Sequence, residues 1–392
     1  MTDITRYGFD QDYQQLFDLV DRYSKDVLHP LADPMDNEDF FPRDAYRALA
    51  EIGILGLTVP AEYGGAGLDE SAQALAAHAM AKWNPSMSLS YIASDNLFAH
   101  NLSRNGSDYL KERYLPKICD GTYLAALGMT EPGAGSDALG SMATKARREG
   151  DNYILNGRKL YITNGPEADV ILVYAKTSPE KGAQGISAFV VEKDFPGFQV
   201  AQKLDKMGYR GSPTGELVFD DCVVPASNIV GLEDRGVRVM MSGLDIERAV
   251  LAAHCVGLCE RALELSVEHA KTRQQFKRPI GDHQLVQRML AHMYTDTASM
   301  RAFCYLILRE CCAVEAGEAG RGEIHMRTAA SVLLSGMAIN RVMDNGMQIH
   351  GGMGFMRETE INRLYRCAKV LEIGAGTREI RELIVGSELL KL

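Results

Sequence analysis

A chain of 392 residues, 46% hydrophobic and 24% charged, is longer than one hydrophobic core usually serves, so two or three packed units with shared interfaces are expected. The formal net charge of -10, with acidic and basic residues interspersed, excludes the basic stripe that a nucleic-acid surface needs. No apolar run approaches the roughly 18 residues of a bilayer span, which excludes membrane insertion by a helix. The opening MTDITRYGFDQDYQQ has neither the apolar core of a signal peptide nor the Arg-rich, acid-poor character of a transit peptide, so a cytoplasmic protein is expected. The eight cysteines form no CxxC pair and follow no disulfide-framework spacing; they read as reduced, mostly buried thiols.

Along the chain, Gln11 to about Gly121 repeats apolar residues at three and four, as in Leu16, Leu19, Val20 and Tyr23, and predicts a helical region. From about Asp151 to Pro225 the pattern changes to short β-rich runs, Asn152 to Leu155, Val170 to Ala175, Ile186 to Glu192 and Glu216 to Val224, which predict a compact sheet or barrel. From Gly236 onward long helical segments return, with no proline after Pro279. No repeat, low-complexity tract or long linker interrupts the series, so the regions are expected to form one rigid body with the chemistry where they meet.

Gly133-Ala134-Gly135-Ser136-Asp137-Ala138 fits the GxGxxG/A pattern formally. Its context argues against a dinucleotide-binding βαβ unit, because Thr130-Glu131-Pro132 stands before it instead of a buried strand and β-rich sequence follows instead of a helix. Two readings stay open: a turn whose backbone N–H groups and Ser136 hydroxyl meet a phosphate, or a tight surface turn. No phosphate loop, nucleophile elbow or zinc helix occurs, and the nine histidines do not cluster at metal-ligand spacing.

Several segments in order resemble the acyl-CoA dehydrogenase family over nearly the whole chain: Leu127 through Asp137, Tyr161-Ile162-Thr163-Asn164-Gly165, Arg273-Gln274-Gln275-Phe276 with His283-Gln284, and Gln348-Ile349-His350-Gly351-Gly352. The resemblance implies a mainly α fold with a β-barrel middle domain: an N-terminal helical domain (1–124), a middle β-barrel (125–235) and a C-terminal four-helix bundle (236–392). It implies FAD as cofactor. Thr130, Tyr161 and Thr163 would lie around the flavin ring, Ser136 in a turn contacting phosphate and substrate, and Leu127, Met129, Gly135, Thr377 and Glu379 in further cofactor contacts. Tyr161 stands where many relatives carry Trp. Arg273, Phe276, Gln284, Gln348, Gly351 and Gly352 match contacts to the FAD diphosphate and adenine made partly across a subunit interface, which implies a homo-oligomer, typically a tetramer. An acyl-CoA substrate and an electron-transfer flavoprotein are the implied partners, with no metal.

Dehydrogenating an acyl thioester requires a carboxylate opposite the flavin to take the α proton while the β hydrogen leaves as hydride to N5. Many family members carry this glutamate near the C-terminus, but here that segment reads Ile373-Gly374-Ala375-Gly376-Thr377. Ser242-Gly243-Leu244-Asp245-Ile246-Glu247-Arg248 is similar to the isovaleryl-CoA dehydrogenase type, which carries the base on an earlier helix, and Glu247 is assigned on that likeness. Read alone, Glu247 is also an ordinary surface-helix glutamate beside Arg248. The resemblance further implies that the Ala375 N–H helps bind the thioester carbonyl, that Arg248 and Asp245 lie near the CoA moiety, and that Leu97 and Gly374 border a short or branched acyl group.

Asp95 and His254 depart from that pattern. His254 follows Glu247 by seven residues and projects from nearly the same helical face, so it either borders the acyl pocket or is a packing histidine. A carrier-protein-bound acyl or aminoacyl substrate, or an oxygen-using flavoenzyme on the same fold, are the alternative activities.

Overall fold

The structure is a computed structural model that describes residues 2–312 and 323–391. The N-terminal third is helical. Helix α1 (Gln11–Tyr23) starts where the Asp10 carboxylate accepts the amides of Asp12 and Tyr13, both at 3.0 Å. Helix α2 (Glu70–Trp83) is alanine-rich and buried over its whole length after Glu70. Helix α3 (Pro85–Tyr91) runs directly into a π-helical segment, Ile92–His100, and α4 (Asp108–Cys119) closes the region.

The middle region is a sheet in the order β6-β7-β3-β2-β4-β5-β8, with β1 paired parallel to β4. Its strands are β1 (Ala125–Gly128), β2 (Lys145–Glu149), β3 (Asn152–Thr163), β4 (Val170–Lys176), β5 (Ile186–Glu192), β6 (Phe198–Lys203), β7 (Thr214–Pro225) and β8 (Ile229–Val230). Strands β2 and β4 share only the pair Lys145 and Lys176, so two ladders meet there and enclose a core. Leu155, Ile162, Leu217 and Phe219 come from one ladder, and Ile171, Val173, Phe189 and Val191 from the other. The opposite face of β4 and β5 packs Leu172, Tyr174, Ala188 and Val190 against Phe98, Leu102 and Tyr114 of the helical region. Burial on both faces explains why these two strands are continuous apolar runs.

The expectation that no buried strand precedes the glycine-rich turn is corrected by β1, whose four residues are buried or half-buried. A strand, β2, and not a helix comes next, so the turn is no dinucleotide-binding βαβ unit.

The C-terminal region packs α5 (Gly236–Thr272), α6 (Gln284–Cys312), α7 (Glu323–His350) and α8 (Arg378–Leu389) on one another. Helix α5 also lies along α2. Gly257 makes that approach possible, because a Cβ there would stand 2.3 Å from the His78 carbonyl. Helix α5 thus carries residues that meet all three regions. Among the described residues no helix is long and apolar enough to cross a membrane.

Candidate active site

Glu247 lies near the start of α5 and is half-buried. Among the described residues its carboxylate accepts no hydrogen bond or close ion pair. Burial pushes its pKa up to about 7, and the nearby Arg248 and Arg381 guanidinium groups hold it from rising further. The phenol of Tyr174, on β4, is pushed up by burial and in smaller part by the charge of Glu247. Glu247 is therefore no solvated surface glutamate. It is a carboxyl group poised near neutrality at the junction of bundle and sheet.

Arg381, on α8, is 1% exposed. It donates to the Val332 carbonyl at 3.3 Å, to Leu371 at 2.9 Å and to Gly374 at 2.5 Å. These bonds fix the loop Gly374-Ala375-Gly376, in which Ala375 holds φ 54° and Gly376 φ 88°. A left-handed alanine costs roughly 1–2 kcal/mol, so the surrounding packing must impose it. Thr377 then caps α8 by accepting the Ile380 amide, while Glu379 is exposed with its carboxyl held low, chiefly by a backbone hydrogen bond. The charge of Arg381 thus acts on Glu247 from a side chain that is bonded to the Gly374 loop.

Of the two readings left open for His254 the structure gives the packing one, and it places Asp245 in the interior. Asp245 is fully buried and accepts from His325 Nδ1 at 2.8 Å and Arg248 Nη1 at 3.1 Å, so it holds Arg248 and does not face an open surface. His254 is fully buried with both ring nitrogens bonded, Nδ1 to Ser88 Oγ and Nε2 to Tyr209 Oη, each at 2.8 Å. Burial lowers its pKa to about 3. It is a neutral packing histidine and not a pocket wall. Asp95 is likewise interior, accepting the Gly56 amide at 2.7 Å, whereas Leu97 is half-buried on the same π-helical segment.

On the sheet side, a buried ion pair builds the glycine-rich turn. Lys159, 0% exposed, donates to Glu131 at 2.8 Å and to the Met129 carbonyl at 3.1 Å; Glu131 also accepts the amides of Ala143 and Thr144. The Thr130 carbonyl accepts the Leu160 amide at 2.8 Å. Leu127, Met129 and Thr130 are half-buried beside this anchor, and Gly135 and Ser136 are exposed. A Cβ at Gly133 or Gly135 would meet nothing within 4 Å, so the backbone there is open to a large anion.

Tyr161 sits at a β-bulge between Lys159 and Ile162 with φ 62° and is 65% exposed. The bulge turns its ring outward, away from the core. Thr163, half-buried, ends β3 opposite Thr214, and the buried Asn164 side chain donates to the carbonyls of Ser90 and Ala125. These contacts tie the end of β3 to β1 and the N-terminal helices. An open glycine turn beside an outward aromatic and half-buried threonines fits a flavin nucleotide.

Arg273, Phe276, Gln284, Gln348, Gly351 and Gly352 form a second exposed group at the far end of the bundle. Phe276 is 87% exposed and holds φ 52° in a tight hairpin, and His269 stacks on His350 at 4.4 Å, joining the end of α5 to that of α7. At about 1.5 Å per residue, Arg273 lies roughly 39 Å along α5 from Glu247. The base and this exposed group therefore stand at well-separated levels of the bundle.

The chain matches the models described as acyl-CoA dehydrogenase N-terminal domain over residues 10–122, middle domain over 126–222 and C-terminal domain over 234–390. It is 43% identical to the mitochondrial isovaleryl-CoA dehydrogenase of Solanum tuberosum, covering 98% of this chain and 92% of that one. The chain belongs to the acyl-CoA dehydrogenase family. Solved structures superpose on it closely. One, from work on the electron transferring flavoprotein of Acidaminococcus fermentans, is 34% identical with a TM-score of 0.93, covering 98% of this chain and 99% of that one. Another, the prolyl acyl carrier protein oxidase AnaB, is 30% identical with a TM-score of 0.91 over 98% and 100% of the two chains. As a member of this family the protein is a flavin-dependent oxidoreductase.

Sequence reasoning missed Arg381, Lys159 with Glu131, and His325.

Proposed function

We propose that this protein oxidises a short or branched acyl-CoA to its α,β-unsaturated thioester with Glu247 as the base. The observation that carries the reading is the Glu247 carboxyl: half-buried, without a hydrogen-bond partner among the described residues, raised to about 7, and under the charge of Arg381, which is bonded to the Gly374 loop. A base poised near neutral pH combines a deprotonated fraction with enough basicity to take a weakly acidic α proton. The Ala375 N–H, on a loop held rigid by Arg381, binds the thioester oxygen as negative charge develops there. Arg248 and Arg381 keep positive charge beside Glu247 and limit how far its pKa rises. Leu97 and Gly374 border the acyl group.

Thr130, Thr163 and Tyr161 would hold the FAD ring, and Ser136 with the open turn at Gly133 and Gly135 its phosphates. When bound, FAD supplies the two-electron acceptor for the hydrogen leaving Cβ. In the homotetramer proposed here, Arg273, Phe276, Gln284, Gln348, Gly351 and Gly352 would reach the diphosphate and adenine of a partner subunit's FAD, with electrons passing to an electron-transfer flavoprotein in the cytoplasm.

The test is anaerobic visible absorbance of the purified protein titrated with isovaleryl-CoA, straight-chain acyl-CoAs and a polar acyl-CoA. Bleaching by a branched acyl-CoA, slowed roughly 10²–10⁴-fold in Glu247→Gln, is the expected result. Bleaching that survives in Glu247→Gln overturns the base. A yellow protein that only a carrier-bound thioester reduces favours the second reading, which the likeness to the carrier-protein oxidase supports.

A further inference from the structure

Beside the base lies a buried cluster that the reaction above does not use. Asp245 Oδ1 is the shared acceptor of three groups: His325 Nδ1 at 2.8 Å, Arg248 Nη1 at 3.1 Å and, more weakly, Thr328 Oγ1 at 3.4 Å. Arg248 Nη1 is also 3.2 Å from His325 Nδ1. A bare Nδ1 would set its lone pair against the Asp245 oxygen at 2.8 Å, so Nδ1 is assigned the proton, and two N–H donors converge on one carboxylate oxygen. All three residues are buried or nearly so, at 0%, 6% and 8% exposure for Asp245, Arg248 and His325. Asp245 Oδ2 and Arg248 Nε have no partner among the described residues.

We propose that His325 is a positioning residue for the base: by sharing the Asp245 carboxylate with Arg248, it holds the guanidinium where its charge acts on Glu247. The inference rests on the reading of Glu247 as base. Two donors at one oxygen leave Arg248 only partly engaged by Asp245, so its charge remains available to Glu247, the next residue on α5. Without His325, Asp245 is neutralised by Arg248 alone and draws it inward. That movement takes positive charge away from Glu247 and favours its protonated form.

Among the described residues, the other charged or titratable groups facing this region are Arg381 from α8 and Tyr174 from β4, toward Glu247, and Cys311 from α6, toward Asp245. None of them donates to Asp245. His325 comes from α7, so its effect on the base is a link between helices.

The experiment compares His325→Ala and His325→Asn in the flavin-loaded enzyme. The amide nitrogen of asparagine overlies Nδ1 of histidine and can still donate to Asp245. In His325→Ala the rising limb of the reduction rate against pH is expected to move up by about half a unit or more, with a roughly three- to tenfold loss on its acid side recovered at high pH. His325→Asn is expected to restore the limb. A second readout needs no turnover: infrared difference spectra across the pH titration, in which the protonated-carboxyl band lost on Glu247→Gln identifies that group, should report the same upward shift. An unmoved limb and band in His325→Ala, or equal behaviour of the two variants, overturns the proposal. Failure of the base itself would appear separately, as a Glu247→Gln enzyme that still reduces normally. If His325→Ala does not fold, absence of any difference between His325→Asn and a second apolar variant, His325→Leu, refutes it.

Discussion

At Glu247 two influences oppose each other and dehydration of the carboxyl wins, raising it to about 7 against the charges of Arg248 and Arg381. The base must be ionised to act, so the rate of flavin reduction is expected to rise with pH through about 7 and level off above it. Stopped-flow reduction measured from pH 5.5 to 9 would check this, and a limb near 4.5 would mean that the carboxyl is solvated. Asp95 poses the same problem without a functional return. Burial raises it to about 7, and only the Gly56 amide opposes the rise. Because its folded value exceeds its unfolded one, its contribution to stability is complete below about pH 4 and is lost as pH climbs through 7. Asp95→Asn keeps an acceptor for Gly56 and removes that loss. The variant is expected to be about 1–3 kcal/mol more stable than the parent at pH 8 and no more stable at pH 4, as read by urea denaturation at both values.

Among the elements, the turn between β1 and β2 depends on one internal ion pair. Burial pulls Lys159 down to about 8, while Glu131, whose own burial would raise it, is held low by Lys159 and the amides of Ala143 and Thr144. Lys159→Met leaves that carboxylate buried without its cation, at a cost of about 3–5 kcal/mol. It is expected to lower the melting temperature and release FAD during gel filtration. Adding Glu131→Gln should recover part of the loss, and a double variant worse than the single would contradict the pairing.

The legibility of the elements follows their chemistry. Strands β4 and β5 were plain because two buried faces make a continuous apolar run. Strand β2, Lys-Ala-Arg-Arg-Glu, has one buried residue and takes its conformation from pairing with β3; β6 is mostly exposed in the same way. The π-helical segment has no distinguishing composition. Glu247 could be named from a motif, but nothing local announced Arg381 or His325, whose importance comes from helices far away in sequence. His254 and Asp245 sat at the helical spacing of a pocket, yet periodicity assigns a face and not what packs against it.

For the whole molecule, the decisive dimension is the length of α5. Its start carries the base and its end leads to Arg273 and Phe276, roughly 39 Å away along a single rod. Under the proposed assembly, each catalytic centre takes its base from one protomer and its distal flavin grip from another. Damage at the two ends should therefore complement. Glu247→Gln and Arg273→Ala chains, each inactive or poorly loaded alone, are expected to regain activity when produced together, because random mixing leaves about a quarter of the centres with both wild-type halves. Two alleles broken at opposite ends of one helix would then rescue each other in the same cell, whereas two alleles broken at the same end would not.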